Sequence, residues 1–390
     1  MAEIKNRREE LGITYGRITD EGLAKMRARI GKPFYPERYN ELASKDGIRH
    51  WVNSIGDRNP LYRDEEYGLN TRFGGIIAPP MFLYGICAPQ GMDGLPGVHA
   101  FYCGCEWEWF QYIHRDDAIS CVDTLTDMEE KHGKMGGKQF LQHGMVKYRN
   151  QRDQLVGQCH RMTMRVDRGE AAKRGKYKDI KAYKYTSEEM ETIYRGYDDE
   201  LEDTCGKNPR FWEDIEVGDT IKPIPKGPLS MTDMQAFYAG FGIPGWGITE
   251  AHGIRLGFMR KHPAWANKSE SGSLEPMADV HSGDDVAASI GVPLAYDLGV
   301  QRFSWLGSMM TNWMGDDGFL KKLSAQARLF NLFGDTQWLS GAVTNKYLDG
   351  KECAVDLEIW CDNQRGERTT TGKATVWLPS RDKSRVPLDE

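Results

Sequence analysis

The chain has 390 residues, enough for about two or three domains with cores of their own. Its 51 Lys and Arg stand against 57 Asp and Glu, a net charge of −6, which argues against the basic surface that nucleic acid or an anionic membrane would need. Charged residues at 28% and hydrophobic ones at 39% exclude a disordered chain, and eight cysteines without a CxxC pair exclude a disulfide scaffold and point to reduced thiols in the cytoplasm.

Met1 to Glu10 is charged and lacks the apolar stretch of an export signal. Ile48 to Ile55 reads as a short helix, with Trp51 and Ile55 on one face at i, i+4. The turn residues Gly56-Asp57-Arg58-Asn59-Pro60 end it. An uncharged run of 20 residues, Phe73 to Met92, is long enough to cross a bilayer. Its three prolines and four glycines predict instead a buried helix beginning near Pro79–Met81. From Cys103 onward the residues alternate as strands do: Cys103 with Cys105, Glu106 to Trp109, Met145 to Tyr148, and His160 to Val166. Turns are expected at Arg115-Asp116-Asp117 and from Gly133 to Gly137.

Arg168 to Lys207 is charged and helical in pattern, with Met190, Ile193, Tyr194 and Tyr197 on one stripe. Phe211 to Thr220 reads as a strand entering a tight turn, and Thr232-Asp233 as the cap of a helix through Tyr238. Gly242 to Met277 has no clear period. A second apolar helix is predicted over Leu298 to Trp313, and strands through Ala354 to Trp360 and Lys373 to Leu378 close the chain. The order short helix, turn, buried helix, antiparallel strands thus occurs twice. A sheet curled around each apolar helix gives an α+β double domain: 1–180, a helical linker over 181–209, and 210–390.

The segment Asp57-Arg58-Asn59-Pro60-Leu61-Tyr62-Arg63-Asp64, followed by Phe73 to Met81, resembles the hydratase motif of the MaoC-like (R)-specific enoyl-CoA hydratases. The second half resembles the tandem branch of the same family. It does so through Phe211 to Thr220, Gly227 to Ser230, His281 with Asp284-Asp285, Tyr296 to Arg302, and Trp305 to Gly318. The resemblance implies a double hotdog and a hydro-lyase acting on a 2-enoyl or 3-hydroxyacyl thioester, with coenzyme A carried as part of the substrate and no separate cofactor or metal. A homodimer or higher homo-oligomer is expected, and charge, cysteine usage and the broken apolar run give the expectation of a cytoplasmic protein with no nucleic-acid or membrane partner.

Such chemistry needs a base for water, an acid for the α-carbon and donors for the developing enolate oxygen. In the family an Asp and a His five residues apart form the acid–base pair, and a Gly N–H opening the central helix holds the oxygen. Neither half carries the full set. In the first, Asp57 and Asn59 match, but Tyr62 takes the place of the His and Pro80, which has no N–H, takes that of the Gly. In the second, His281 and Gly299 match, but Pro276 stands five residues before the histidine. Asp279, Asp284 or Asp285 would then supply the carboxylate, with Asp279 preferred, or Asp57 if the two halves pack face to face; Asn59, Tyr62, Gly299 and Arg302 would be substrate contacts. Asp57 and Asn59 would also serve a simple turn, His281 a polar turn, and Arg302 a structural salt bridge. Two rival functions stay open: a thioesterase, and a catalytically silent acyl-CoA-binding subunit.

Overall fold

The computed structural model describes residues 16–88, 95–132, 138–167, 180–242, 250–268, 271–288, 290–382 and 387–388; for Asn267, Lys268, Met277 and Asp279 it describes the backbone alone. Among the described residues, ten strands form one antiparallel sheet: β1 (Pro33–Phe34), β2 (His99–Trp109), β3 (Ser120–His132), β4 (Lys138–Arg149), β5 (Leu155–Val166), β6 (Thr220–Lys226), β7 (Phe319–Ala327), β8 (Gln337–Asp349), β9 (Glu352–Asn363) and β10 (Arg368–Leu378). Their order is β1-β3-β4-β5-β2-β7-β10-β9-β8-β6. The first five strands and the last five follow the same path in mirror order, so the halves are related by an approximate two-fold axis between β2 and β7. This is the α+β double domain that the repeated sequence pattern implied, and the double hotdog that the resemblance implied.

The alternation of β2 explains its placement. Cys105, Trp107 and Trp109 are buried against the helices, while Glu106 and Glu108 lie on the other face. Helix α1 (Lys45–Ile55) starts where the Ser44 hydroxyl accepts from Gly47 N–H at 3.1 Å and stops at Gly56, whose φ of +67° is open to glycine. Its Trp51 packs edge to face on Phe82 at 6.4 Å.

The long helix α5 (Gly299–Met314) fits the predicted span, and every residue from Val300 to Met314 is buried. Its counterpart in the first half is far shorter than expected. A 3-10 turn, Pro80–Phe82, leads into α2 (Leu83–Ile86), which ends where Cys87 turns extended. The prolines set a 3-10 start rather than a full helix, and the end of the uncharged run, 89–92, lies outside the described residues. The space is filled by α5, which passes so close to the first half that a Cβ on Gly307 would stand 2.3 Å from Met81 Cγ.

Three other expectations need correction. The linker helix α3 (Ser187–Asp203) opens on a Thr186–Glu189 capping box, but its buried face runs through Ile193, Gly196 and Glu200. Gly196 presses on Pro225, and Tyr194 is left 55% exposed. Phe211 to Thr220 is not a strand: a 3-10 turn at Trp212–Asp214 is followed by a loop in which Asp219 accepts from Glu216 N–H, and β6 begins only at Thr220. Helix α4 (Met231–Phe241) is capped two residues before the predicted Thr232, by Ser230, with Asp233 returning the bond. The stretch without a clear period contains a helix, His252–Lys261, and a ribbon of Ala266–Lys268 with Leu274–Pro276. Among the described residues no helix is long and apolar enough to cross a membrane.

Candidate active site

Strands β2 and β7 pair over only five positions, Gly104 to Glu108 against Gln326 to Lys322. Beyond either end of this seam the chains diverge, and each gap lies beside motif residues of one half. Past Gly104 and Gln326 the opening is a cavity of about 260 Å³. Its walls are Ala100 to Cys103 on one side and Ala327 to Phe330 on the other, with Leu298, Gly299 and Arg302 from the start of α5, and with His281 and Tyr296. Past Glu108 and Lys322 the corresponding space is about 20 Å³, room for roughly one water. It is lined by Tyr62, Pro80, Trp109, Tyr112, Asp316 and Phe319, among others.

In the open cavity His281 ends the short 3-10 turn Met277–His281. Its Nδ1 lies 2.8 Å from the Tyr296 carbonyl oxygen. A carbonyl can only accept, so a neutral imidazole carries its proton on Nδ1 and keeps the lone pair on Nε2. The Tyr296 ring stands edge to face on the imidazole at 4.7 Å. Leu298 caps α5 without a side-chain oxygen, and the helix opens its N–H groups at Gly299. Those N–H groups lack acceptors within the helix and sit at the positive end of its dipole. Glycine is required there because a Cβ would stand 2.3 Å from the Tyr102 carbonyl oxygen. The lining therefore brings together a base with a defined lone pair, peptide donors and an apolar aromatic wall of Phe101, Tyr102 and Phe330.

Arg302 borders the same cavity but is turned inward. It forms a two-bond pair with Asp297, at 2.8 Å and 2.6 Å, and donates to the Leu329 carbonyl at 2.8 Å. It thereby ties the helix start to one cavity wall, which is the structural salt bridge among the two alternatives the sequence allowed. Asp284 accepts from Ala295 N–H and shapes the loop before α5. The Asp279 side chain lies outside the described atoms.

The first-half motif is assembled elsewhere. Asp57 is fully buried and accepts from Asn59 N–H; its second oxygen lies close to the Ser308 hydroxyl without meeting hydrogen-bond geometry. Burial, the largest influence, raises its pKa. Asn59 donates to Asn312 of α5 at 3.1 Å and accepts from Leu61 N–H. Tyr62 is buried, and its hydroxyl is pushed well above the ordinary phenol range, first by burial and next by the Asp57 charge. Pro80 offers only its carbonyl, which accepts from Trp109 Nε1. Gly299 and Ser308 are nine residues apart on α5, about 13 Å along the axis. The structure thus groups His281, Gly299 and Arg302 at one end of the helix and Asp57, Asn59 and Tyr62 toward the other.

Sequence reasoning missed His99, Phe101 and Phe330 altogether and gave Tyr296 no role. The Tyr296 hydroxyl lies 3.2 Å from His99 Nε2, across the junction of the halves. The only signal was the position of Tyr296 three residues before the helix-opening Gly299. The others come from strand ends whose meeting depends on the seam.

Residues 28–158 match the family described as FAS1-like, dehydratase domain region. The 3-oxo-4,17-pregnadiene-20-carboxyl-CoA hydratase alpha subunit of Mycobacterium tuberculosis is 24% identical over 147 residues, 33% of this chain and 47% of the relative. The match thus spans about half the length of that relative. A UPF0336 protein of Thermobifida fusca is 27% identical over 122 residues, 28% of this chain and 77% of its own. Among solved structures, a MaoC-like dehydratase superposes with a TM-score of 0.63 at 14% identity, covering 91% of this chain and 99% of that one. A double-hotdog protein of Mycobacterium tuberculosis gives 0.53 at 12% identity, over 90% and 96%.

Proposed function

We propose that this chain, a MaoC-like double-hotdog protein, is a hydro-lyase that adds water to, or removes it from, an acyl-CoA thioester in the His281 cavity. One observation carries the reading: of the two pseudo-equivalent ends of the seam, the open one is the end lined by a histidine and by the N-terminus of a long helix. The relative named as a CoA-thioester hydratase supports the substrate class.

In hydration, His281 Nε2 takes a proton from water as the water oxygen bonds to the β-carbon. Electron density moves to the thioester oxygen, which the Gly299 N–H holds as it becomes enolate-like. The α-carbon then takes a proton from an acid. Asp279, two residues from His281, is assigned that role; Asp57 lies toward the far end of α5. A cavity of about 260 Å³ suits the acyl group and the thioester, so the nucleotide of coenzyme A stays outside the mouth. Asn59 and Tyr62 act on packing between the halves rather than on substrate.

The test is turnover of a series of enoyl-CoA esters, short to polycyclic, followed by loss of the enoyl-thioester absorbance. Wild type should turn over at least one ester, and His281→Ala should lose at least about a hundredfold in kcat while staying folded. Free thiol release from saturated acyl-CoA without enoyl turnover, or full activity in His281→Ala, would overturn the assignment.

A further inference from the structure

We infer that Tyr296 is a positioning residue for His281 and that His99, from the opposite half of the chain, holds Tyr296 in place; this rests on His281 being the base of the proposed reaction. Tyr296 meets the imidazole twice, through its carbonyl at 2.8 Å from Nδ1 and through its ring at 4.7 Å with the planes 73° apart. The carbonyl fixes which nitrogen carries the proton. The ring fixes how the imidazole is turned. The far end of the same side chain is tied to His99 by the 3.2 Å contact between its hydroxyl and Nε2.

Both anchors are enclosed by packing. Tyr296 and His99 are buried, Phe101 packs edge to face on His99 at 4.0 Å, and Phe330 packs on Tyr296 at 4.8 Å. His281 itself sits half-buried at the end of a single 3-10 turn, so its orientation depends on what it leans against. Tyr296 lies three residues before Gly299, so one short segment aligns both the base and the first N–H of α5. His99 stands on β2, and β2 belongs to the half whose own gap is filled. The first half therefore contributes to the reaction without touching the reacting atoms: it sets the angle of the base.

The test compares wild type, Tyr296→Phe, His99→Leu and His99→Gln in steady-state hydration. Tyr296→Phe keeps the ring and the carbonyl and removes only the hydroxyl. Its kcat should fall about tenfold, with KM within about twofold, because misorientation affects the chemical step more than binding. His99→Leu should lose a similar factor, and His99→Gln, whose amide can still pair with the hydroxyl, should recover most of it. The double variant Tyr296→Phe/His99→Leu should be no slower than either single one, as for two members of one contact. Wild-type kcat in Tyr296→Phe, or multiplied losses in the double variant, overturns the inference. A second readout needs no turnover: in ¹⁵N-histidine spectra the His281 Nδ1–H should exchange with solvent at least about tenfold faster in Tyr296→Phe than in wild type, and unchanged exchange overturns the inference too. Wild type without turnover counts against the hydro-lyase reading alone; full turnover in Tyr296→Phe counts against the positioning role alone.

Discussion

Arg302→Leu separates a structural arginine from one that binds substrate. Arg302 and Asp297 are each 3% exposed, and the pair is completed by Asn331, which donates to Asp297 at 3.1 Å. Deleting the guanidinium leaves the Asp297 carboxylate buried with one side-chain partner, and breaking a buried pair from one side costs about 3–5 kcal/mol. Unfolding entropy of about 2.1 cal/mol/K per residue gives roughly 0.8 kcal/mol/K for 390 residues, so Tm should fall by about 4–6 °C. Arg302→Lys should recover little, since an ammonium cannot repeat the two-bond contact with Asp297 and also reach the Leu329 carbonyl. Scanning calorimetry on both variants, paired with KM for an enoyl-CoA, reads the two effects apart. An unchanged Tm in Arg302→Leu, with KM raised about tenfold or more, would refute the structural role and make Arg302 an anion contact.

Gly299→Ala should cut kcat about a hundredfold and stability by about 1–3 kcal/mol, because the added Cβ would sit 2.3 Å from the Tyr102 carbonyl and push the helix start off its donors; a variant with normal kcat would contradict the assignment. A tight-binding CoA analogue should titrate to one site per chain by calorimetry, since the first-half gap is only about 20 Å³; two sites would show that this gap opens. Asp57 binds its proton more tightly when folded than when unfolded, chiefly through burial, so the folded chain holds more protons above the unfolded value of about 3.9. Stability should fall as pH rises from there through the raised folded value, and the loss persists above it. Asp57→Asn should remove that decline, being at least as stable as wild type near neutral pH with the difference closing toward ~pH 4; urea unfolding across this range checks it, and a variant weaker than wild type only near neutral pH would count against it.

The long helix α5 was legible because its uncharged run is long and its ends are marked, by Gly299 and by Gly315 at φ +75°. The strands after Cys103 were legible from alternation alone. The first-half helix was over-read because apolarity does not distinguish a helix from buried irregular chain, and Pro79-Pro80 favoured a 3-10 start. Phe211 to Thr220 was over-read as a strand because aromatic and β-branched residues serve a 3-10 turn equally well when they pack under β9, where Trp212 donates to the Ala354 carbonyl. For the site, the sequence separated a half whose motif keeps its histidine from a half whose motif has Tyr62 there, and the two gaps differ accordingly. It could not say that β2 and β7 part company after five pairs. That register is what brings His99, Phe101 and Phe330 to His281, residues up to 231 positions apart in number.

The two outermost strands have a consequence for association. β1 is two residues long and begins with Pro33, and β6 carries Pro223 and Pro225, which leave alternate positions without a backbone donor. A sheet with such borders offers no continuous row of hydrogen-bonding groups to another chain. Growth by adding strands is therefore disfavoured at both margins. Copies of this protein that meet must do so through side chains on the faces of the molecule, leaving the ten-stranded sheet a closed unit within each chain.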